Sequence, residues 1–225
     1  MAATVYTIPL GFTNCYIIQD KGTVMVDTGS PKKTQAFKRA MEALPMDAQD
    51  ITLLIITHGH WDHIGSARDI KALTGAKIAM HEEEKPWLEK SKTPVPPGVT
   101  PWGRIFGGVM RAFLPFIKVS PTRVDLVLQD TPMSLSEHGV SGRVIHTPGH
   151  SPGSVSLLLE TGEAFVGDLA MNKFPLRLSP DLPIFADDLE RVKQSWRVLL
   201  DQGAETVYPA HGDPFPVDLI RDKLG

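Results

Sequence analysis

Three histidines and an aspartate crowd into residues 58–63 of this 225-residue chain, in the string THGHWDH that spans 57–63. Imidazole and carboxylate donors at such density suit zinc or iron, whereas calcium and magnesium favour oxygen donors. The string follows the run ITLLIIT at 51–57. That run is continuous, β-branched and bounded by polar residues, so it reads as a buried central strand of an α/β sheet. Chemistry in such sheets gathers just beyond the strand ends. His58 and His60, two apart at that end, can turn toward one metal, while Asp62 and His63 begin a new direction and can serve a second. A helix is expected to start here and run through IGSARDIKALTG, stopping at Gly75. One strand-loop-helix unit would thus hold four ligands at the open end of a sheet.

Three more residues extend the set: His150 in HTPGHSPGS, Asp168 in FVGDLA and His211 in YPAHGDP. Together these motifs resemble the metallo-β-lactamase fold superfamily, whose HxHxDH signature stands here as His58, His60, Asp62 and His63. His150 lies behind a strand and a Pro-Gly turn, Asp168 ends the strand EAFVGD, and His211 sits in the closing PAHG. The resemblance therefore covers the chain from its opening strands to about residue 215. It implies an α/β (α+β) fold, a four-layer αββα sandwich with two mixed sheets face to face and helices outside, as one domain over 1–225. It also implies that His58, His60 and His150 hold one metal, that Asp62, His63 and His211 hold the other, and that Asp168 bridges them. Two zinc ions per chain are the expected cofactors, with iron or manganese as alternatives.

Composition sets wider bounds. The chain is 42% hydrophobic and 22% charged, with a net charge of -3, which argues against broad electrostatic attraction to nucleic acid. It has no apolar run near about 18 residues and no basic, apolar leader, so a cytoplasmic protein with no integral membrane segment is expected. Cys15 is the single cysteine, which rules out an internal disulfide, and FTNCYIIQD places it in a strand as a core residue. Strands are expected in TVYTIPL, NCYIIQD, GTVMVDTG, AKIAMH, RVDLVL, GRVIHT, SVSLLLE, EAFVGD and ETVYPA. Ser30 and Pro31 look like the start of a helix ending near Leu44, and a second helix fits 187–201. His81 is expected at a partly exposed strand end and His138 in a turn; His146 is read as a satisfied strand histidine or a group orienting a ligand.

Residues 85–123 differ in character. They include seven prolines, so they cannot form one regular element. They also carry seven basic residues against Glu89 alone, a local charge of +6 that leaves -9 for the remainder. Within WGRIFGGVMRAFLPFIK, Ile105, Val109 and Phe113 share one helical stripe, with Phe106, Met110 and Ile117 beside it. Three readings follow: a solvated loop whose stripe packs on the body, a lid over the metals, or a contact with a second copy (through 100–118, giving a homodimer) or a membrane surface. Phe106 and Met110 are candidate substrate contacts. So are Asn172 and Phe174, with Arg177, in LAMNKFPLRLSPDLPIF at 169–185.

The expected chemistry is hydrolysis of a small-molecule ester, lactone or thioester by water activated between two cations about 3.5–4 Å apart. Asp62, between ligands for both metals, is the candidate proton carrier. Among similar families, the acyl-homoserine-lactone lactonases use a tyrosine after the bridging aspartate, yet no tyrosine lies between 169 and 207. Only 42 residues separate Asp168 from His211 and 14 follow His211, which disfavours the nucleases with an inserted domain and glyoxalase II with its added helical domain. The alternatives are an iron-dependent oxidoreductase resembling persulfide dioxygenase, and weak β-lactamase-like or phosphodiesterase activity.

Overall fold

The strands that read as unbroken apolar runs are covered on both faces in the computed structural model, which describes residues 3–92 and 94–224. Six strands form one sheet in chain order: β1 (Thr4–Leu10), β2 (Thr13–Gln19), β3 (Thr23–Val26), β4 (Ile51–Ile55), β5 (Lys77–His81) and β6 (Leu126–Leu128). The first three pair antiparallel, and β3 to β6 run parallel. The second sheet follows the order β12-β11-β10-β9-β8-β7. Its strands are β7 (Met133–Ser134), β8 (Gly142–His146), β9 (Val155–Leu159), β10 (Glu163–Met171), β11 (Thr206–His211) and β12 (Phe215–Pro216). Only β10 and β11 pair parallel in this sheet.

Alternation along each strand sorts side chains into layers. In β2, Tyr16 and Ile18 point between the sheets, where they meet Val144, Leu157 and Phe165. Cys15 and Ile17 point the other way, toward Phe37 and Met41 of α1 (Thr34–Glu42) and Ile70 of α3 (Ala67–Thr74). On the far side, Ala164 and Val166 of β10 pack under Val192, Trp196 and Leu199 of α6 (Leu189–Asp201). The order helix, sheet, sheet, helix is the expected αββα sandwich. Each large side chain sealed in these layers contributes roughly 1.5–3 kcal/mol by leaving water. Cys15 is a core residue, as expected.

Several local expectations need correction. The helix after His60 is two helices, α2 (Trp61–Ile64) and α3, the latter ending at Gly75 as read from the sequence. The break at Gly65 and Ser66 serves packing. A Cβ on Gly65 would meet the Pro31 nitrogen at 2.2 Å, and Ser66 Oγ donates to Ser30 O at 2.7 Å. Helix α1 starts at Thr34, not at Ser30 and Pro31, because Lys32 sits at φ 63° and interrupts any helix there. His81 is buried rather than partly exposed, its ring stacked on His146 at 4.1 Å.

The 85–123 stretch holds α4 (Lys85–Glu89) and α5 (Pro101–Phe113). Thr100 Oγ1 caps α5 by accepting from Gly103 N at 2.9 Å, and Pro101 supplies the fixed φ of a first turn. Gly103 allows the close approach of α5 to the chain at Ile184, whose carbonyl a Cβ would strike at 2.2 Å. The stripe of Ile105, Val109 and Phe113 does not pack on the body: all three are exposed. No helix among the described residues is long and apolar enough to cross a membrane.

Trp196 joins core and site, since its Nε1 donates to Leu169 O at 3.0 Å, one residue beyond Asp168. Trp196→Ala is expected to cost about 3–5 kcal/mol in a denaturant titration, the range for deleting a sealed aromatic. A loss below about 1 kcal/mol would show that this layer does not carry the second sheet.

Candidate metal centre

All seven sequence-predicted site residues meet where the two sheets end. Strand β4 delivers His58 and His60, the turn into α2 delivers Asp62 and His63, the β8–β9 loop brings His150, and β10 and β11 bring Asp168 and His211. Asp168 lies between the histidines. Its Oδ2 is 3.9 Å from His58 Nε2 and 3.5 Å from His150 Nε2, while its Oδ1 is 3.3 Å from His63 Nε2 and 3.2 Å from His211 Nε2. Asp62 Oδ2 lies 3.4 Å from His211 Nε2. Two groups of closely spaced donors result, His58, His60, His150 and Asp168 in one and Asp62, His63 and His211 in the other.

The nitrogens facing outward decide what those facing inward can do. His150 Nδ1 lies 2.8 Å from Phe185 O, His211 Nδ1 3.0 Å from Phe12 O, and His63 Nδ1 2.8 Å from Asp27 Oδ2. Carbonyl and carboxylate oxygens only accept, so each Nδ1 carries a proton. His58 Nδ1 faces Thr57 Oγ1 at 3.1 Å; that hydroxyl donates to Asp27 Oδ2 at 2.8 Å, so it accepts from His58. Four Nε2 atoms are thereby free to turn a lone pair inward. His60 reverses the arrangement, presenting Nδ1 at 3.0 Å from His150 Nε2 while its ring stacks on Trp87. His58 Nε2, His63 Nε2 and Asp168 Oδ1 are buried without any hydrogen-bond partner. Orphaned buried acceptors are costly unless a cation satisfies them, and separations of 3.0–3.9 Å suit ligands sharing an ion at about 2.0–2.3 Å. The donor set thus fits bound metal ions.

Electrostatics split the two groups. Burial lowers His58, His60 and His150, with neighbouring imidazoles adding to the effect on the first two. Burial alone would lower His63 and His211 as well, but the carboxylates of Asp27 and Asp168 hold His63 well above its ordinary value, and Asp168 and Asp62 raise His211. Asp168 is held well below the carboxylate range, against its own burial, by His211 and His63.

Sequence reasoning missed two buried carboxylates that position this cluster. Asp27, at φ 59° just past β3, accepts from Thr57 N at 2.8 Å as well as from His63. Its signal was the VDTG at 26–29, a charged residue ending an apolar strand. Glu84 accepts from Gly59 N, from Gly153 N at 2.8 Å and from Ser151 Oγ at 2.5 Å, clamping the His58–His60 turn to the His150 loop. Burial pushes its carboxyl up to about 7 even against those donors. Nothing in the run EEE at 82–84 marks it out from its exposed neighbours.

Both groups open on a cavity of about 350 Å³. Phe106, Met110 and Phe174 line it. Asn172 does not: its amide is committed to Asp213, donating to O and accepting from N at 2.9 Å, which fixes the turn behind His211. Arg177 is likewise occupied, donating to Leu182 O at 2.8 Å and pairing with Asp181.

Comparison with known proteins agrees with this geometry. The profile of the metallo-beta-lactamase superfamily matches residues 8–211. The chain belongs to that superfamily, and with it to the metal-dependent hydrolases. The chain is 25% identical over 214 residues to the beta-lactamase-like protein 2 homolog of Drosophila melanogaster, covering 95% of itself but only 61% of that relative's length. It is 24% identical to a probable metallo-hydrolase of Bacillus subtilis, covering 99% of itself and 89% of the relative. Over 69% of the chain and 66% of the relative it is 28% identical to a hydroxyacylglutathione hydrolase of Haemophilus influenzae. Among solved structures, the B3 metallo-beta-lactamase BLEG-1 superposes with a TM-score of 0.69 at 23% identity, covering 96% of this chain and 95% of its own, a likeness of fold.

The raised His63 and His211 and the lowered His58, His60 and His150 predict an order of titration in the metal-free protein. A group held up by carboxylates keeps its proton to higher pH than one lowered by burial. His63 and His211 are therefore expected to lose their protons at higher pH than His58, His60 and His150 when the imidazoles are followed by NMR. The reverse order would break the assignment.

Proposed function

We propose that the chain hydrolyses a carboxylic ester, lactone or thioester bearing an apolar acyl group. The observation that carries this reading is the cavity. Polar groups reach it at its base, from His60, Asp62, His150, Asp168 and His211, while Phe106, Met110, Leu114 and Phe185 make its walls apolar. Pockets of this kind fix a scissile bond with few polar contacts and gain affinity from the walls.

In this reading His58, His60 and His150 would hold one ion, Asp62, His63 and His211 would hold the other, and Asp168 would serve both. When bound, such ions, zinc in the first instance, would supply Lewis acidity that lowers the pKa of water and stabilises charge developing on a carbonyl oxygen. The chain's own residues do the rest. Asp62 is half-buried and lines the cavity, with Oδ2 3.4 Å from Thr13 Oγ1 and from His211 Nε2. It is placed to take a proton from the attacking water and return it to the leaving oxygen or sulfur. The walls exclude bulk water, which strengthens every charge interaction at the base. The segment 85–123, which supplies Pro94, Val95 and Pro96 as well as α5, serves as the lid of a single domain.

The test is metal quantification on protein purified without added metal, followed by a panel of esters, lactones, thioesters, phosphodiesters and β-lactams. Two zinc ions per chain and kcat/KM rising with acyl length are expected. Replacing Phe106 and Met110 with serine should then lower kcat/KM for long-chain esters by about tenfold or more and leave short ones nearly unchanged. One iron per chain with oxygen uptake, or preferred turnover of phosphodiesters, would overturn the reading. Asp168→Ala should lose at least one metal together with activity; full occupancy in that variant, by elemental analysis, would refute the bridge.

A further inference from the structure

Helix α5 is apolar on two faces. Phe106, Met110 and Leu114 turn inward to the cavity. Trp102, Ile105, Val109 and Phe113, with Phe116 just beyond the helix, follow one another at helical spacing along a second face that is exposed, Ile105 at 62% and Phe116 at 81%. A solvated helix has one apolar face, turned to the core. The loop beside α5 continues the pattern. Trp102 Nε1 donates to Pro175 O at 2.7 Å, and next to that carbonyl Phe174 and Leu178 stand 76% and 88% exposed. With Phe12 across the cavity mouth, eight of the eleven exposed large apolar side chains among the described residues belong to this one rim. Contiguous apolar surface of this kind marks a contact site.

Charge identifies the occupant. The segment that contains α5, residues 85–123, carries +6, and Glu89, its sole acid, is committed to Val124 N at 3.1 Å and to Lys85. Lys118, two residues beyond Phe116, is exposed, and Lys173 stands exposed beside Phe174 at the cavity mouth. The rest of the chain sums to -9. An isologous contact between two copies through this face would bring one +6 segment against another. A surface of anionic lipid offers the opposite sign, takes up aromatic and aliphatic side chains together, and repels the acidic body, which orients the protein rim-down. At 13 residues, α5 can lie in such an interface but not span it.

We propose that the rim formed by α5 and the 172–180 loop docks this protein on an anionic membrane surface. The cavity mouth, bordered by Phe12 and Phe174, then faces the lipid. On the hydrolytic reading above, an acyl chain passes from the bilayer into the cavity without crossing water; the docking itself does not depend on that reading.

Sedimentation of the full chain with sucrose-loaded vesicles tests it. Partitioning onto vesicles of equal parts phosphatidylcholine and phosphatidylglycerol should exceed that onto phosphatidylcholine alone by about tenfold or more, and should fall as salt rises. Ile105→Ser, Val109→Ser and Phe113→Ser combined should abolish it, with far-UV circular dichroism and melting midpoint unchanged. Lys118→Glu with Lys173→Glu, both exposed beside rim aromatics, should remove the anionic preference and serves if the triple variant fails to fold. Equal partitioning on both vesicles, or variants that bind like the parent, would overturn the proposal. So would a dimer in light scattering that the triple variant splits while no vesicle binds, since the rim would then belong to a second copy. None of these readouts uses turnover, so a failed substrate panel leaves the result intact.

Discussion

A cluster of five imidazoles and two carboxylates at the edge of two sheets can stay folded only if every ring is held from behind. Each inward Nε2 is usable because the outer Nδ1 of the same ring gives its proton to a fixed acceptor: Thr57 Oγ1, Asp27, Phe185 O or Phe12 O. Those acceptors determine tautomer and ring plane together, and two of them are backbone carbonyls of distant segments. Ligand geometry is therefore a property of the whole sandwich, not of the HxHxDH string. Removing an acceptor would leave a buried N–H unpaired, at a cost of about 1–3 kcal/mol, and would free the ring to turn.

The same dependence explains why the sheets must be locked to each other close to the site. His58 and His60 follow the first sheet, whereas His150, Asp168 and His211 come from the second. Tyr16 Oη donates to Pro209 O and Asn14 Nδ2 to Gly212 O, each at 2.6 Å, and Val155 N donates to Thr57 O at 2.8 Å. These bonds cross the interface beside the ligands, where apolar packing alone would permit sliding. Glu84 adds a tie between the two ligand loops. Placing that carboxylate inside the protein raises it to about 7, which is the energetic cost of the connection.

The ligands were legible in the sequence because metal chemistry restricts residue type and strand-end geometry restricts spacing, and both leave marks in a linear string. The four layers were legible for a similar reason: ITLLIIT and SVSLLLE carry runs of consecutive apolar residues rather than strict alternation, as strands covered on both faces do. What supports the ligands was not. Asp27 and Glu84 are single carboxylates whose partners lie 25 or more residues away, so no local pattern distinguishes them from surface acids. Asn172 looked available for substrate because an exposed-type residue near Asp168 invites that reading, while its partner Asp213 is visible only once β11 is in place. The break at Gly65 and Ser66 follows from contact with the loop at Ser30, and helical periodicity contains no trace of that contact.

Chemistry and selection thus reside in different parts of this chain. The base of the cavity is built from clustered histidines and aspartates able to hold metal ions, and it is held by the two sheets. The walls come from the 94–114 stretch and the loop after β10, segments with no ligand and few ties to the core. Such segments can change sequence without disturbing Asp27, Glu84 or the outer acceptors, so substrate preference can shift while the metal chemistry stays constant. The exposed stripe of α5 belongs to this variable part. A chain that needed α5 only as a wall could make Ile105, Val109 and Phe113 polar with no loss of cavity lining, because Phe106, Met110 and Leu114 supply it. That these positions are apolar instead points to a requirement outside the cavity, one that the fold and the metal centre do not impose.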